Sequence, residues 1–351
     1  MKIAYHNPFP DTVYAYRTIN KGFELAFTDL GHDFFTLTPN DKLEEFIEHH
    51  QIDILITSSH FLYRKYINYD ALKKLRQNGL FVLTKIDFWN SPLSSTRLNE
   101  AKSMKDDSTV VKLILDGLLG DAYYHVVEQG DGRMEGFKEA LGADYHTIPL
   151  AADKTLAKNA VYDPQFNADI SFIGTNLPDK RKTFERLVFP LKKSYDLKLY
   201  GQDWTSIDRF KGFLQKGGQL FNVPYLKSLQ KPKLKFEDEA KIYASSKVSI
   251  NIHEDYQKKF GGDCNERTFK IPLFNGFEIC DDIECIRKYF VEGKEIVIAK
   301  NDKEWFDKLE YYIKNPDKRL EIIKAGRKKV LESHTYHNRA EQIISIASSR
   351  K

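Results

Sequence analysis

Apolar and polar positions alternate along this chain in two periods that take turns. Short apolar runs at residues 2–5, 52–57 and 80–86 have the length and bounding residues of strands. Between the first pair, Ile19, Phe23, Ala26, Phe27 and Leu30 recur at helical spacing and predict a helix over residues 16–30. Gly31 ends it, and residues 33–37 read as the next strand. Helices near 42–49 and 70–77 and the apolar segments DAYYHVV and YHTIPL extend the alternation. Strand and helix in strict turn predict right-handed crossovers and a mostly parallel sheet.

The pattern relaxes over AADKTLAKNAVYDP, residues 151–164, and then resumes. Strands at 168–174, 197–200, 248–253, 277–280 and 295–299 alternate with helices at 180–191, 237–245, 302–314 and 316–333. Periodicity places little between Trp204 and Leu234. With 351 residues the chain is long for one core and suits two domains. The expected class is α/β, two Rossmann-like parallel-sheet domains. Ligands of such sheets sit beyond the carboxyl ends of the strands, here expected to face an interdomain cleft.

Composition changes this picture little. Hydrophobic residues make up 41% and charged residues 30%, values of an ordinary globular chain. The formal charge of +4 neither demands nor excludes nucleic acid, and a few basic residues in a cleft would serve a phosphorylated ligand. Cys264, Cys280 and Cys285 are odd in number and lack zinc-ligand spacing, so reduced thiols are expected. The start, MKIAYHNPFPD, fits no signal peptide, and no apolar run approaches the length of a membrane span. The expected location is cytoplasmic.

Candidate chemistry collects at strand ends. FIGTNLPDKRKTF carries a strand to Gly174 and Thr175 and then a helix with Lys180, Arg181 and Lys182 in its first turn, an arrangement suited to phosphate. In SINIHED, Asn251 and His253 lie on the polar side of a strand's end. Gly201 and Trp204 follow the strand of LKLYGQDW. CNERTFKIPLFNG sets Asn265, Glu266, Arg267 and Thr268 before a short apolar run that Pro272 must limit. Asn265 is placed to cap a helix there. Arg267 in a first turn opposes the helix dipole unless an anion lies nearby. LFVLTKID delivers Asp87 to a strand end, where a carboxylate can act as base toward a hydroxyl or cap a turn. Neither a dinucleotide fingerprint nor a P-loop is present, and Asp281-Asp282 has no metal geometry.

In order and spacing, DISFIGTNLPDKR, LKLYGQDW, YASSKVSINIHED, NERTFKIPLFNGFEICDD and ESHTYHNRAEQI resemble the GT-B-fold glycosyltransferases typified by spore-maturation glycosyltransferase-like proteins. The resemblance is specific over residues 169–344. It implies domains at 1–152 with 335–351, holding the acceptor, and at 153–334, holding a nucleotide-sugar donor, with the last helix crossing back. Gly174, Thr175 and Arg181 would face the donor diphosphate, with Gly201 and Trp204 near its base. Asn251, His253, Asn265, Glu266, Arg267 and Thr268 would line the sugar and phosphates. Lys270 stands where such enzymes commonly carry a ribose-binding glutamate. A lysine accepts no hydrogen bond, so Lys270 would hold a further phosphate or a carboxylate. A second usual glutamate is replaced by Gly262.

The resemblance implies transfer of a sugar to a hydroxyl on a glycan, lipid carrier, protein or small molecule, without metal or other cofactor, in a family leaning towards retention. If transfer is inverting, Asp87 is the preferred base. Two alternatives are a catalytically silent nucleotide-sugar-binding module, which Lys270 favours, and a transferase acting on modified DNA bases. For the latter, the lysine-rich segment 227–241 would face phosphates.

Overall fold

A computed structural model describes residues 1–8, 15–91, 103–221, 223–229 and 234–349. Parts of two segments singled out above, loop residues 9–11 and residues 230–233 of the lysine-rich stretch, lie outside the described residues. The chain divides into two compact units. The first comprises Met1–Asp153, Phe260–Asp263 and Tyr336–Lys351, and the second Lys154–Lys259 and Cys264–Thr335.

The first unit is built on a six-stranded sheet: β1 (Lys2–His6), β2 (Asp33–Leu37), β3 (Ile54–Ser58), β4 (Phe81–Lys85), β5 (Ala122–His125) and β6 (His146–Thr147). Their order is β2-β1-β3-β4-β5-β6, and every pairing is parallel. All five residues of β3 are buried, as expected of a strand covered on both faces. On one face Ile3, Ile54, Ile56 and Leu83 pack with Phe23 and Phe27 of the helix Ala15–Asp29 and with Tyr336, Ala340 and Ile343 of the helix Tyr336–Ser348. The last helix of the chain therefore completes the core of the first unit.

The second unit carries β7 (Ala168–Ile173), β8 (Leu197–Tyr200), β9 (Ser246–Asn251), β10 (Glu278–Asp281) and β11 (Val297–Ala299), ordered β11-β10-β9-β7-β8 and again parallel. The α/β class and its two parallel sheets follow the hydrophobic pattern. Three local expectations change. The helix expected at 180–191 ends at Leu187 and gives way to a 3-10 turn, Phe189–Lys193, because Pro190 has no N–H to continue it. The central strand stops at Asn251, which leaves His253 two residues beyond it. A 15-residue helix, Ser206–Leu220, occupies part of the stretch that periodicity left unplaced. No helix among the described residues is long and apolar enough to cross a membrane.

Residues Phe260–Asp263 are embedded in the first unit by charge. Arg133 is 1% exposed and bonds Asp131 through Nε at 2.8 Å and Nη2 at 2.6 Å, and Asp263 through Nη2 at 2.6 Å. The rings of Phe88 and Phe260 lie 4.4 and 5.0 Å from its guanidinium carbon. The Gly262 carbonyl accepts the Glu128 N–H at 2.8 Å. A Cβ at Gly262 would stand 2.0 Å from Asp131 Oδ2, so any side chain here requires Asp131 to move. Gly262→Ala should force Asp131 off Arg133 and lower the stability of the chain by roughly 2–4 kcal/mol. Urea unfolding measures this, and an unchanged midpoint would contradict the packing argument.

Candidate functional site

The polar residues of the second unit converge where β9 ends. Asn251, fully buried, uses both ends of its amide. Nδ2 donates to Thr268 Oγ1 at 3.1 Å and to Glu278 Oε1 at 2.8 Å. Oδ1 accepts from Asn265 Nδ2 at 2.9 Å and Arg267 Nε at 3.0 Å. His253 Nδ1 lies 2.6 Å from Asp281 Oδ1 and Nε2 lies 3.2 Å from Thr268 Oγ1. Burial lowers the His253 pKa, against the pull of Asp281, so the imidazole is neutral. The carboxylate only accepts, which assigns the ring proton to Nδ1 and makes Nε2 the acceptor of the Thr268 hydroxyl. Burial opposes the charge on Asp281, but His253 and Lys258, the latter 2.9 Å away, hold it well below the usual range.

Arg267 opens the short helix Arg267–Leu273, and its N–H is received by Asn265 Oδ1 at 3.0 Å. The cap position falls to Glu266, which makes no side-chain cap bond, while Asn265 forms a side-chain turn one residue earlier, and the helix runs only one residue past Pro272. The guanidinium lies 5.3 Å from the Phe172 ring centre and donates Nη2 to the Ile252 carbonyl at 3.0 Å. The same carbonyl receives Lys180 Nζ at 3.1 Å. Lys180 is 7% exposed, and its nearest carboxylate oxygen, on Glu254, is 3.9 Å away. Burial first, then the Arg267 charge, push Lys180 down to about 7. Two cations fastened to one carbonyl, with Glu254 at the edge and Asp281 already engaged by His253 and Lys258, form a basic spot suited to an anion.

The loops after β7 and β8 close over this point. Gly174 N–H bonds the Tyr200 carbonyl at 2.9 Å, and Trp204 Nε1 bonds the Gly174 carbonyl at 2.9 Å. Gly201 has φ of +115°, and a Cβ there would stand 2.3 Å from Gly174 O. A Cβ at Gly174 would lie 3.3 Å from Arg267 Nη1, so the guanidinium faces this loop directly.

Several sequence-derived positions turn out differently. Arg181 opens the helix Arg181–Leu187, and its Nε is buried without a hydrogen bond; the cation that meets Arg267 is its neighbour Lys180. Trp204 packs edge-on to Phe172 and against Phe184, 5.7 and 5.2 Å between ring centres, and so braces the two loops. Thr175 follows Gly174 half-buried, and its carbonyl accepts the Leu177 N–H. Lys270 does meet carboxylates, but the protein's own: Glu266 at 3.2 Å and Glu239 at 3.4 Å. Burial alone would lower the Lys270 pKa, and these two acids outweigh it. Glu266 and Lys270 therefore form an internal ion triad with Glu239. Sequence reasoning passed over Glu278, because a glutamate opening an apolar strand carries no motif.

The first unit has a separate strand-end pocket of about 130 Å³, lined among others by Tyr5, His6, Ser58, Lys85, Tyr124 and Tyr336. His6 bonds Thr57 Oγ1 through Nδ1 at 3.0 Å, and its Nε2 is buried without a partner. Burial pushes His6 down to about 4, so it is neutral. Burial also lowers Lys85, against the attraction of Asp87 and Asp263. No hydrogen bond to the Lys85 ammonium is found among the described residues. Asp87 stands just past β4, half-buried, with its N–H on Ser59 Oγ at 2.9 Å.

Residues 181–345 match the family described as glycosyl transferase-like. That description covers the broad family and does not name the spore-maturation-like group. None of the curated proteins matches the chain in sequence. Among solved structures, a sucrose-phosphate synthase from Thermosynechococcus elongatus is 13% identical, with a TM-score of 0.61, covering 99% of this chain and 98% of that one. An alpha-glucosyltransferase in complex with UDP and a 13-mer DNA is 10% identical, TM-score 0.63, covering 99% and 100%. A trehalose-6-phosphate structure from E. coli, bound with UDP-2-fluoro glucose, is 10% identical, TM-score 0.58, covering 99% of each. At such identities the likeness is one of fold, and that fold is GT-B.

Glu278 yields a test of the network. Its Oε2 is buried without a hydrogen bond, and burial lifts its pKa to about 8, with Asn251 and Arg267 pulling the other way. The folded chain keeps this proton where the unfolded chain releases it, so stability falls as pH rises from about 5 to 8, by at most on the order of 4 kcal/mol. Glu278→Gln should therefore gain stability relative to wild type at pH 8 and little at pH 5. Parallel unfolding curves of the two proteins across that range would contradict the neutral acid.

Proposed function

We propose that this chain, a GT-B fold with a glycosyl transferase-like domain, moves a sugar from a nucleotide-diphosphate donor to a hydroxyl acceptor. The second unit holds the donor and the first unit the acceptor. The observation that carries this reading is the convergence of Lys180 and Arg267 on the Ile252 carbonyl, beside the Gly174 loop. When the bond from the anomeric carbon to the β-phosphate breaks, negative charge grows on the leaving diphosphate. Lys180 and Arg267 meet that charge from fixed positions, which makes a metal ion unnecessary to the step. Solved relatives of this fold bound UDP and UDP-2-fluoro glucose, which supports a uridine diphosphate sugar as the donor.

The pocket of the first unit supports an acceptor with a polar end and an apolar body. Lys85, His6 and Ser58 supply the polar contacts, and Tyr5, Tyr124 and Tyr336 the walls. Asp87, just past the same strand as Lys85, is the group we assign to orient the acceptor hydroxyl, or to take its proton if transfer inverts.

The pH dependence of donor binding tests the assignment. A sugar diphosphate diester does not titrate near neutrality, whereas Lys180 is half protonated near pH 7 and fully protonated with an anion beside it. Calorimetry with UDP-glucose should show proton uptake on binding and an affinity that rises as pH falls from 8 to 6. Arg267→Ala and Lys180→Met should each weaken binding by roughly tenfold to a hundredfold. Lys180→Met should also abolish the proton uptake. Unchanged affinity in both variants would remove the site, and binding of UDP-glucose with no transfer of the sugar to an acceptor or to water, and so no release of UDP, would leave a binding module.

A further inference from the structure

The helix Ser206–Leu220 is turned inside out. Ile207, Phe210, Phe213, Leu214 and Leu220 recur at spacings of three and four and form one face. That face points away from the protein: Ile207, Phe210, Phe213, Leu220 and the adjoining Phe221 are between 63% and 78% exposed. The polar side faces inward, with Asp208 and Gln215 buried and Gln215 Nε2 donating to the Lys227 carbonyl at 3.2 Å. An amphipathic helix in water ordinarily buries its apolar stripe, and contiguous exposed apolar surface of this kind marks an interaction site. Tyr225, on the short helix Pro224–Lys227 that follows, is 74% exposed and extends the surface.

Charge identifies the occupant. Residues 209–236 contain seven Lys and Arg and no Asp or Glu, although the whole chain carries only +4, so the remainder is net negative. Of these cations Arg209, Lys211, Lys216, Lys227 and Lys235 are exposed among the described residues. Arg209 and Lys216 lie on one flank of the apolar stripe and Lys211 on the other, by helical rotation. Aromatic and aliphatic side chains in the middle with cations along both edges match an interface between acyl chains and anionic headgroups. Duplex nucleic acid would satisfy the cations and leave Ile207, Leu220 and the phenylalanines in water. A second copy of the chain would bring cations against cations. We propose that the helix Ser206–Leu220, with Phe221 and the short helix Pro224–Lys227, docks the protein on an anionic lipid surface, lying in the interface and not crossing it. This goes beyond the sugar-transfer reading and stands independently of it.

Flotation of the full chain with vesicles tests the proposal. Vesicles of phosphatidylglycerol mixed with phosphatidylcholine should carry the wild-type protein upward, and vesicles of phosphatidylcholine alone should carry far less. The double variant Phe210→Ser, Phe213→Ser should reduce the bound fraction by about tenfold or more. The triple variant Arg209→Gln, Lys211→Gln, Lys216→Gln should do likewise and remove the preference for the anionic lipid. All five side chains are exposed, so circular dichroism of both variants should match the wild type. Failure of the wild type to float, or flotation untouched by the serines, would overturn the proposal. So would a dimer in light scattering that the serines dissolve, or retardation of duplex DNA that they abolish, without any effect on lipid binding.

Discussion

One backbone carbonyl, that of Ile252, accepts both Lys180 and Arg267, and the arrangement of the second unit's strand ends follows from holding two like charges there. Cations so placed repel each other and lose hydration, and the protein answers only partly, with Glu254 at 3.9 Å, the charge of Asp281 and the face of Phe172. The shortfall is visible in Lys180, whose charge is only half present near pH 7. A bound diphosphate would complete the neutralisation. A site that is electrostatically incomplete without its ligand also discriminates: it favours a doubly charged diphosphate over a neutral sugar before any sugar contact forms.

What keeps Arg267 in place is a polar network in which every strong donor and acceptor of Asn251 has a partner. From Asn251 it runs through Thr268 to His253 and Asp281, and each step fixes the proton of the next. Such networks are rigid when satisfied. Its one unsatisfied atom is Glu278 Oε2, where burial is met by protonation instead of pairing. In the first unit the Arg133 cluster acts in the same manner, anchoring Phe260–Asp263 by buried charge.

Much of the fold was legible because parallel strands covered on both faces write themselves as apolar runs. The strands at 33–37 and 197–200 and the helices at 302–314 and 316–333 have the bounds that periodicity gave them. The site was legible by region and less so by residue. Spacing places Lys180, Arg181 and Lys182 in one turn, but the helix begins at Arg181, and Lys180 ends the 3-10 turn Pro178–Lys180 before it, a turn that carries Lys180 inward. Lys270 could not be assigned from sequence because its partner Glu239 lies on another helix, 31 residues away. The helix Ser206–Leu220 escaped because its apolar stripe is interrupted by glycines and faces solvent.

The central claim is that Lys180 and Arg267 together bind the phosphates of a nucleotide donor. A crystal structure of the chain grown with UDP tests it most directly. The account predicts phosphate oxygens within hydrogen-bond distance of both Lys180 Nζ and the Arg267 guanidinium, beside the Gly174 loop. UDP bound elsewhere, with both cations still engaged only by Ile252, would contradict it.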